Sequence, residues 1–328
     1  MARPRVGFLG TGWIGRQRME AMTATGAIEP AAIADPSPEM AAEALKVAPG
    51  AQVVDDLDAL LALGLDGLAI ATPSALHAAQ SIRALEAGVA VFCQKPLGRT
   101  AAEARAAVDA ARAADRLLAV DLSYRFTAGM RRIRELTSAG ALGRIFAADL
   151  VFHNAYGPDK PWFYDPALAG GGCVMDLGVH LVDLALWALD FPAVAGVSSH
   201  LSAGGEPLRD AAAQAEDHAV ATLTLATGAV VRLACSWRLH AGRDAIIAAE
   251  FYGTAGGAAL RNVGGSFYDF EAERYRGTAS ERLAAPPDQW GGRAAADWAR
   301  RLASGERCDP EAERLVEVAA VLDRIYGR

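Results

Sequence analysis

Cysteine is sparse in this 328-residue chain: Cys93, Cys173, Cys235 and Cys308 stand far apart with no C-x-x-C pair. That spacing excludes a disulfide framework and a zinc ribbon, and makes a reducing cytoplasm the expected compartment. Long hydrophobic runs are missing too; none approaches the roughly 20 residues of a membrane span. The N-terminus, Met1-Ala2-Arg3-Pro4-Arg5, is basic, but the apolar stretch behind it covers only residues 6–9 before glycines interrupt it, so no signal peptide is expected. An excess of positive charge is absent: 32 Lys and Arg stand against 39 Asp and Glu, a formal net charge of -7. That balance argues against a broad polyanion-binding surface, so nucleic acid is not an expected partner. There is no internal repeat and no low-complexity tail.

What is present is apolar material for a large core, 52% hydrophobic residues against 22% charged. At about 150 residues per domain, the length favours two domains. Over residues 1–121 short apolar runs at 6–9, 28–34, 67–71, 89–93 and 117–120 alternate with helical patterns at 14–24, 38–46, 75–87 and 101–114. Thr100 caps the last of these, with Glu103 three residues on. Alternation of this kind predicts an α/β Rossmann domain with a doubly wound parallel sheet. From 122 to 328 the rhythm changes. Helical patterns cover 131–138, 174–189, 294–302 and 311–326, while 145–152, 194–201, 218–225, 229–237, 245–252 and 266–270 read as strands joined without helices. This half is expected to be α+β with a mainly antiparallel open sheet, its last helices able to pack back on the first domain.

Gly10-Thr11-Gly12-Trp13-Ile14-Gly15 follows the first strand and opens the first helix. In that context Gly10 permits a tight turn, Gly12 lets backbone approach a pyrophosphate, and Gly15 allows close helix–strand packing. A glycine-rich turn that binds nothing is the alternative. Asp35 ends the second strand 20 residues beyond Gly15, the distance at which a carboxylate accepts from adenosine ribose hydroxyls. A 2′-phosphate would meet like charge there, so NAD is expected over NADP.

Gln94-Lys95-Pro96 leaves a buried strand at the carboxyl edge, where ligands of open α/β sheets sit. Further on, Gly170-Gly171-Gly172 precedes a helical run in which Asp176, His180 and Asp183 fall at i, i+4 and i+7, one polar stripe on an otherwise apolar helix. Three readings stay open: a core histidine capped by its carboxylates, a metal pair lacking a third ligand, or acid–base chemistry beside a nucleotide.

Taken in order, these motifs resemble the Gfo/Idh/MocA oxidoreductases over nearly the whole chain. Gly10 to Gly15 resembles the cofactor loop, Thr72-Pro73 with His77 the T-P-x-x-x-H segment, Lys95-Pro96 the E-K-P, and Gly170 to Asp183 the G-G-G-x-x-x-D-x-G-x-H-x-x-D helix. The resemblance implies cofactor contacts from Gly10, Gly12, Trp13, Ile14, Gly15, Asp35, Thr72, Pro73, His77, Gln94 and Lys95. It assigns the chemistry to Lys95, Asp176 and His180, and implies a sheet face that makes homodimers or homotetramers. Gln94 departs from the family's usual glutamate, keeping hydrogen-bonding capacity and losing charge. Arg125 occupies a position where relatives often have an arginine facing the cleft; a bridge between the domains is the alternative. His153, Asn154, Tyr156, Lys160, Trp162, Phe163 and Tyr164 mix aromatic faces with donors, which suits a polyhydroxylated ring or simply a core. His153, Tyr156 and Trp162, with Arg125, Asp176 and His180, are the expected substrate contacts.

The expected function is an NAD-dependent oxidoreductase moving a hydride between nicotinamide and a secondary alcohol or ketone of a sugar, cyclitol or derivative. Two alternatives share the scaffold: an NAD-dependent glycosidase-type enzyme with transient oxidation and retained cofactor, and a non-catalytic NAD-sensing regulator.

Overall fold

The structure is a computed structural model that describes residues 2–328. It divides into two compact units: one runs to Asp121 and adds Gly291–Glu317, the other comprises Leu122–Trp290 and Val318–Arg328.

In the first unit β1 (Arg5–Leu9), β2 (Glu29–Ala34), β3 (Gln52–Val53), β4 (Gly67–Ile70), β5 (Ala90–Cys93) and β6 (Leu118–Val120) form one parallel sheet in the order β3-β2-β1-β4-β5-β6. Between them run α1 (Trp13–Ala24), α2 (Pro38–Val47), α3 (Leu57–Leu61), α4 (Ser74–Glu86) and α5 (Ala101–Ala114). Every residue of β4 and β5 is buried, because helices cover both faces of a doubly wound sheet, and such strands read as unbroken apolar runs. The sequence pattern missed β3 and α3, which are too short to carry a period: two residues, and five residues capped by Asp56 accepting from the Ala59 N–H at 2.9 Å. Thr100 caps α5 as expected, but the Glu103 carboxylate takes the Arg99 N–H (2.7 Å). Helix Arg293–Ala303 belongs to this unit and lays the fully buried Trp298 against Phe92, ring centroids 5.9 Å apart. Trp298 lies over Gly67, where a Cβ would come within 2.7 Å of its ring, so only glycine fits that strand position.

The strand order reverses direction between β1 and β4. At that switch point the loops after β1 and β4 part, leaving the crevice in which open α/β sheets bind ligands.

The second unit contains α6 (Ala128–Ser138), β7 (Ile145–Asn154), α7 (Pro166–Ala169) and α8 (Val179–Ala188). Eight strands follow: β8 (Val194–Ala203), β9 (Glu206–Pro207), β10 (His218–Leu225), β11 (Val230–Ser236), β12 (Ala245–Gly253), β13 (Gly257–Asn262), β14 (Phe270–Arg276) and β15 (Ala279–Ala284). With β7 they make a nine-stranded sheet, β15-β14-β13-β12-β7-β11-β10-β8-β9. Its central pair, β7 and β11, is parallel and the other pairings are antiparallel. One face is covered by α6 and α8: Ala148, Leu150 and Phe152 of β7 alternate with residues turned to the opposite, open face, as do Val231, Leu233 and Cys235 of β11.

The expected strand at 266–270 is a turn. Ser266 follows Gly264 and Gly265, both at positive φ, and its hydroxyl accepts from the Tyr268 and Asp269 N–H groups at 3.1 Å, so the strand starts only at Phe270. The strands β13 and β15 lay outside the expected set because β13 opens on glycine and small alanines, while β15 is an exposed edge without apolar alternation. The expected helix over 174–189 begins with a π-helical turn at Val174–Gly178 before becoming α8. The stretch Pro166–Ala188 is long and apolar enough by composition to cross a membrane, and most of it is buried inside the protein.

Candidate functional site

In the first unit the glycine loop has the shape its residues demand. Gly10 sits at φ 82°, where a Cβ would lie 2.7 Å from the Ala71 carbonyl oxygen, and at Gly15 a Cβ would lie 2.1 Å from the Gly10 carbonyl oxygen. Gly12 is different: a Cβ there meets nothing within 4 Å. It is the N-cap of α1, no side chain caps that end, and no acidic residue stands in its first turn. Open space over uncapped helix N–H groups is what a pyrophosphate requires, so these residues fit a dinucleotide. Trp13 leads the helix with 58% of its surface exposed, and Ile14 is half-buried.

Asp35 is fixed from both sides. Its Oδ2 accepts from the Thr11 N–H (2.6 Å) and hydroxyl (3.3 Å), its Oδ1 from the Ser37 N–H (2.9 Å). A carboxylate so oriented costs little entropy to engage two ribose hydroxyls. Asp35→Ala removes that anchor and strands the Thr11 N–H. Hydrogen bonds to charged groups contribute about 1.5–3 kcal/mol, so NADH affinity measured by fluorescence titration is expected to fall roughly 10- to 100-fold.

His77 corrects one expected cofactor contact. The ring is 1% exposed, with Nδ1 2.7 Å from the Pro96 carbonyl oxygen and Nε2 2.7 Å from the Thr72 carbonyl oxygen. Both nitrogens face main-chain carbonyls, and the ring's N–H can go to one of them, so His77 packs between the loop after β4 and the loop after β5 and acts on a ligand only through them. Burial pushes its pKa below the ordinary value, with Lys95 adding to the effect, against the opposing pull of the two carbonyls. Thr72 and Pro73 are half-buried at the head of α4, where the Thr72 hydroxyl donates to Gln80 Oε1 at 2.6 Å. Lys95 follows β5 half-buried, and its bond to Pro96 is cis. The chain has three lysines, and the other two, Lys46 and Lys160, have side chains 70% and 64% exposed. Gln94 is buried and donates to Asp121.

In the second unit, Asp176 lies in the π-helical turn and His180 in the first turn of α8. His180 is 7% exposed, its ring 4.8 Å edge-on from Tyr124, which packs on Phe152. Trp237 Nε1 donates to Asp176 Oδ2 (3.1 Å), and the Tyr164 ring packs edge-on against Trp237 at 5.5 Å. Arg238, at φ 57°, then reaches back to the Tyr164 hydroxyl (3.1 Å) and over its ring. Trp237 escaped the sequence reading because a strand-end tryptophan looks like core.

A brace holds the glycines ahead of this helix. The fully buried Glu216 accepts through its carboxylate from the Gly172 (2.9 Å) and Val174 (2.8 Å) N–H groups and from the Tyr326 hydroxyl (2.7 Å). The Glu216 carbonyl takes the Cys173 N–H at 2.9 Å. Burial raises the pKa of both Glu216 and Tyr326. No sequence signal linked residues 172, 216 and 326, since the clamp is entirely long-range.

Two expected substrate contacts have other duties here. Arg125 is spent on Asp183, Nε donating to Oδ2 at 2.8 Å and Nη2 to Oδ1, and its guanidinium lies 5.8 Å from the Trp187 ring and 5.5 Å from that of Phe191. Burial pushes the Asp183 carboxyl above its ordinary value while Arg125 pulls it down. His153 is turned away from α8: Phe152 takes the covered face, so strand alternation carries His153 to the open face, where Nδ1 lies 2.8 Å from Ser236 Oγ and the ring stacks on His218 at 6.5 Å. His153 thus lies on the sheet face opposite Phe152. Burial, with His218 adding to it, lowers its pKa. Tyr156 is exposed, its hydroxyl donating to Asp244 at 2.6 Å, and Trp162 stacks on Phe163 at 3.8 Å. Among the described residues no group of three or more His, Cys, Asp or Glu could hold a metal ion.

Residues 4–122 match a family model described as an oxidoreductase family with an NAD-binding Rossmann fold, and residues 130–259 match the GFO/IDH/MocA C-terminal domain. A levoglucosan dehydrogenase of Pseudarthrobacter phenanthrenivorans is 30% identical over 295 residues, 78% of this chain and 73% of that protein. The chain belongs to the Gfo/Idh/MocA oxidoreductase family. Its first unit is the family's NAD-binding Rossmann domain, and its second carries the family's mainly antiparallel sheet. A D-glucoside 3-dehydrogenase of Escherichia coli (strain K12) is 33% identical over 221 residues, which span 64% of this chain and 63% of the relative. Among solved structures, GenD2 from gentamicin A biosynthesis, in complex with NAD, superimposes with a TM-score of 0.82 at 26% identity, covering 100% of this chain and 96% of that one.

Proposed function

We propose that this Gfo/Idh/MocA protein is an NAD-dependent dehydrogenase that oxidises a secondary alcohol of a sugar, cyclitol or derivative, or reduces the corresponding ketone. The observation that carries the reading is the open, uncapped cradle at Gly12 beside the doubly anchored Asp35. The sugar dehydrogenases among its relatives support the substrate class.

Gly10, Gly12, Gly15 and Asp35 would hold the dinucleotide, which when bound supplies the hydride acceptor or donor. His180 takes the hydroxyl proton as general base, in a buried setting that keeps bulk water away from it. In this reading Lys95 has the task of stabilising the negative charge that grows on the reacting oxygen. Asp176, its Oδ2 held by Trp237, orients these groups toward the substrate. The Tyr156, Trp162 and Tyr164 loop presents aromatic faces that suit the C–H surfaces of a polyhydroxylated ring.

The four cysteines are free thiols, even Cys173 and Cys235 with their sulfurs 3.7 Å apart, which favours a reducing, cytoplasmic setting. The open sheet face exposes Val220 and Val230 and supports assembly into a homodimer or homotetramer.

A panel of sugars, inositols, aminosugars and uronates, assayed with the purified protein for NAD reduction at 340 nm, tests the activity. At least one polyol is expected to give stoichiometric NADH. Turnover of a glycoside with no net NADH would instead identify a cofactor-recycling hydrolase, and silence across the panel with intact NADH binding would favour a sensor.

A further inference from the structure

Three buried polar side chains meet beside the last two strands of the first unit. Arg18 of α1, Gln94 after β5 and Asp121 after β6 are 6%, 8% and 1% exposed. Arg18 Nε donates to Asp121 Oδ2 at 2.5 Å, and Gln94 Nε2 donates to the same oxygen at 2.7 Å. The Asp121 N–H donates to the Cys93 carbonyl at 2.9 Å, which sets its side chain in register with Gln94. The other carboxylate oxygen, Oδ1, is buried and has no hydrogen-bond partner. A trio kept for stability alone would not leave a carboxylate oxygen unsatisfied, since an apolar replacement of similar volume holds such a site at least as well.

Asp121 Oδ2 accepts from the Arg18 Nε–H, so it faces Gln94 as an acceptor. The Gln94 amide is therefore not free to flip: its NH2 must face Asp121 and its Oε1 must face away. We propose that Asp121, charge-balanced by Arg18, is a positioning residue that makes Gln94 present a carbonyl oxygen to a ribose hydroxyl of the bound dinucleotide. Gln94 thereby does with a neutral acceptor what a glutamate at this position would do with a charged one. In this chain the amide stands at residue 94 and the carboxylate at residue 121. The two positions are coupled, because a glutamate at 94 would set two carboxylates about 2.7 Å apart, and like charges that close cannot both stay ionised.

The inference rests on NAD binding at this sheet edge, and the test separates the two. NADH affinity by fluorescence titration, the KM values for NAD and for the sugar, and the melting temperature are measured for the unsubstituted protein, Gln94→Glu, Asp121→Asn, Gln94→Met and the double variant Gln94→Glu/Asp121→Asn. Gln94→Glu is expected to weaken NADH binding at least about tenfold. The double variant, in which the amide introduced at position 121 can donate to the carboxylate introduced at position 94, is expected to recover to within about threefold of the unsubstituted protein. KM for NAD should move while KM for the sugar changes little. Gln94→Met keeps the volume without the acceptor and decides the matter if Gln94→Glu does not fold: it must lose NADH affinity by a similar factor. Unchanged NADH affinity in Gln94→Met, or a double variant no better than Gln94→Glu, overturns the inference. Failure of the unsubstituted protein to bind NADH overturns the cofactor reading itself.

Discussion

Replacing Lys95 with alanine is expected to lower kcat by about 10² to 10⁴ while NADH affinity stays within severalfold. Positioned proton transfer and electrostatic stabilisation of a developing oxyanion each contribute factors of this size. The residue's setting supports the assignment. In a chain that uses arginine for nearly every cation, a lysine stands half-buried at the carboxyl edge of a parallel sheet, beyond β5 and beside the loop on which His77 packs. Ammonium and guanidinium are not interchangeable there: a lysine is a compact point charge on a flexible stem and can approach one oxygen closely. Lys95→Arg is thus expected to rescue little. His180→Ala should lower kcat to a similar degree if, as proposed, its ring takes the hydroxyl proton. Steady-state kinetics with the best polyol from the panel, alongside NADH titrations, checks both. Wild-type turnover in either alanine variant would remove that residue from the chemistry.

The largest stability effect is expected from Gly172→Ala. The added Cβ would stand 1.9 Å from the Glu216 carbonyl oxygen and 2.7 Å from its amide nitrogen, and these are main-chain atoms that cannot swing aside. Relief would have to come from moving the loop, breaking the Gly172 and Val174 hydrogen bonds to Glu216. A cost of about 3 kcal/mol follows for strain combined with a broken buried network, or roughly 6–12 °C in the melting of this unit. Gly171→Ala offers the contrast: its Cβ would meet the Tyr326 hydroxyl at 2.0 Å, a side-chain atom whose displacement breaks one hydrogen bond to Glu216 and leaves the main chain in place. It is expected to cost less, and the gap between the two melting temperatures is the measurement. Equal melting would mean that the Glu216 brace is not rigid. Because the braced loop leads directly into the turn that carries Asp176, the surviving Gly172→Ala protein should also lose kcat.

Much of the first unit was legible in the sequence because its signals are local. A buried parallel strand is a short apolar run, a glycine loop follows it immediately, and Asp35 ends the next strand. The two-residue β3 carries no period to read. The second unit hid more. Asp176, His180 and Asp183 looked like one stripe at α-helical spacing, but the π-helical turn at Val174–Gly178 changes the angle per residue, and Asp183 is committed to Arg125. His153 looked available because it sits among aromatic residues, yet only the strand's two-residue alternation decides which face it takes, and that register is set by neighbours distant in sequence. Trp237, Glu216, Tyr326 and Asp121 act through partners 61, 42 to 44, 110 and 103 residues away, respectively. No pattern within a window of one helix or strand can reveal contacts at such separations.

Whether Lys95 and His180 serve one and the same chemical step is best tested by single-turnover formation of NADH in the unsubstituted protein, Lys95→Ala, His180→Ala and the double variant. Residues acting as a unit are strongly non-additive, so the double variant should be no more than about tenfold slower than the slower single one. Full multiplication of the two losses, or a single variant that turns over at the unsubstituted rate, would contradict the shared step.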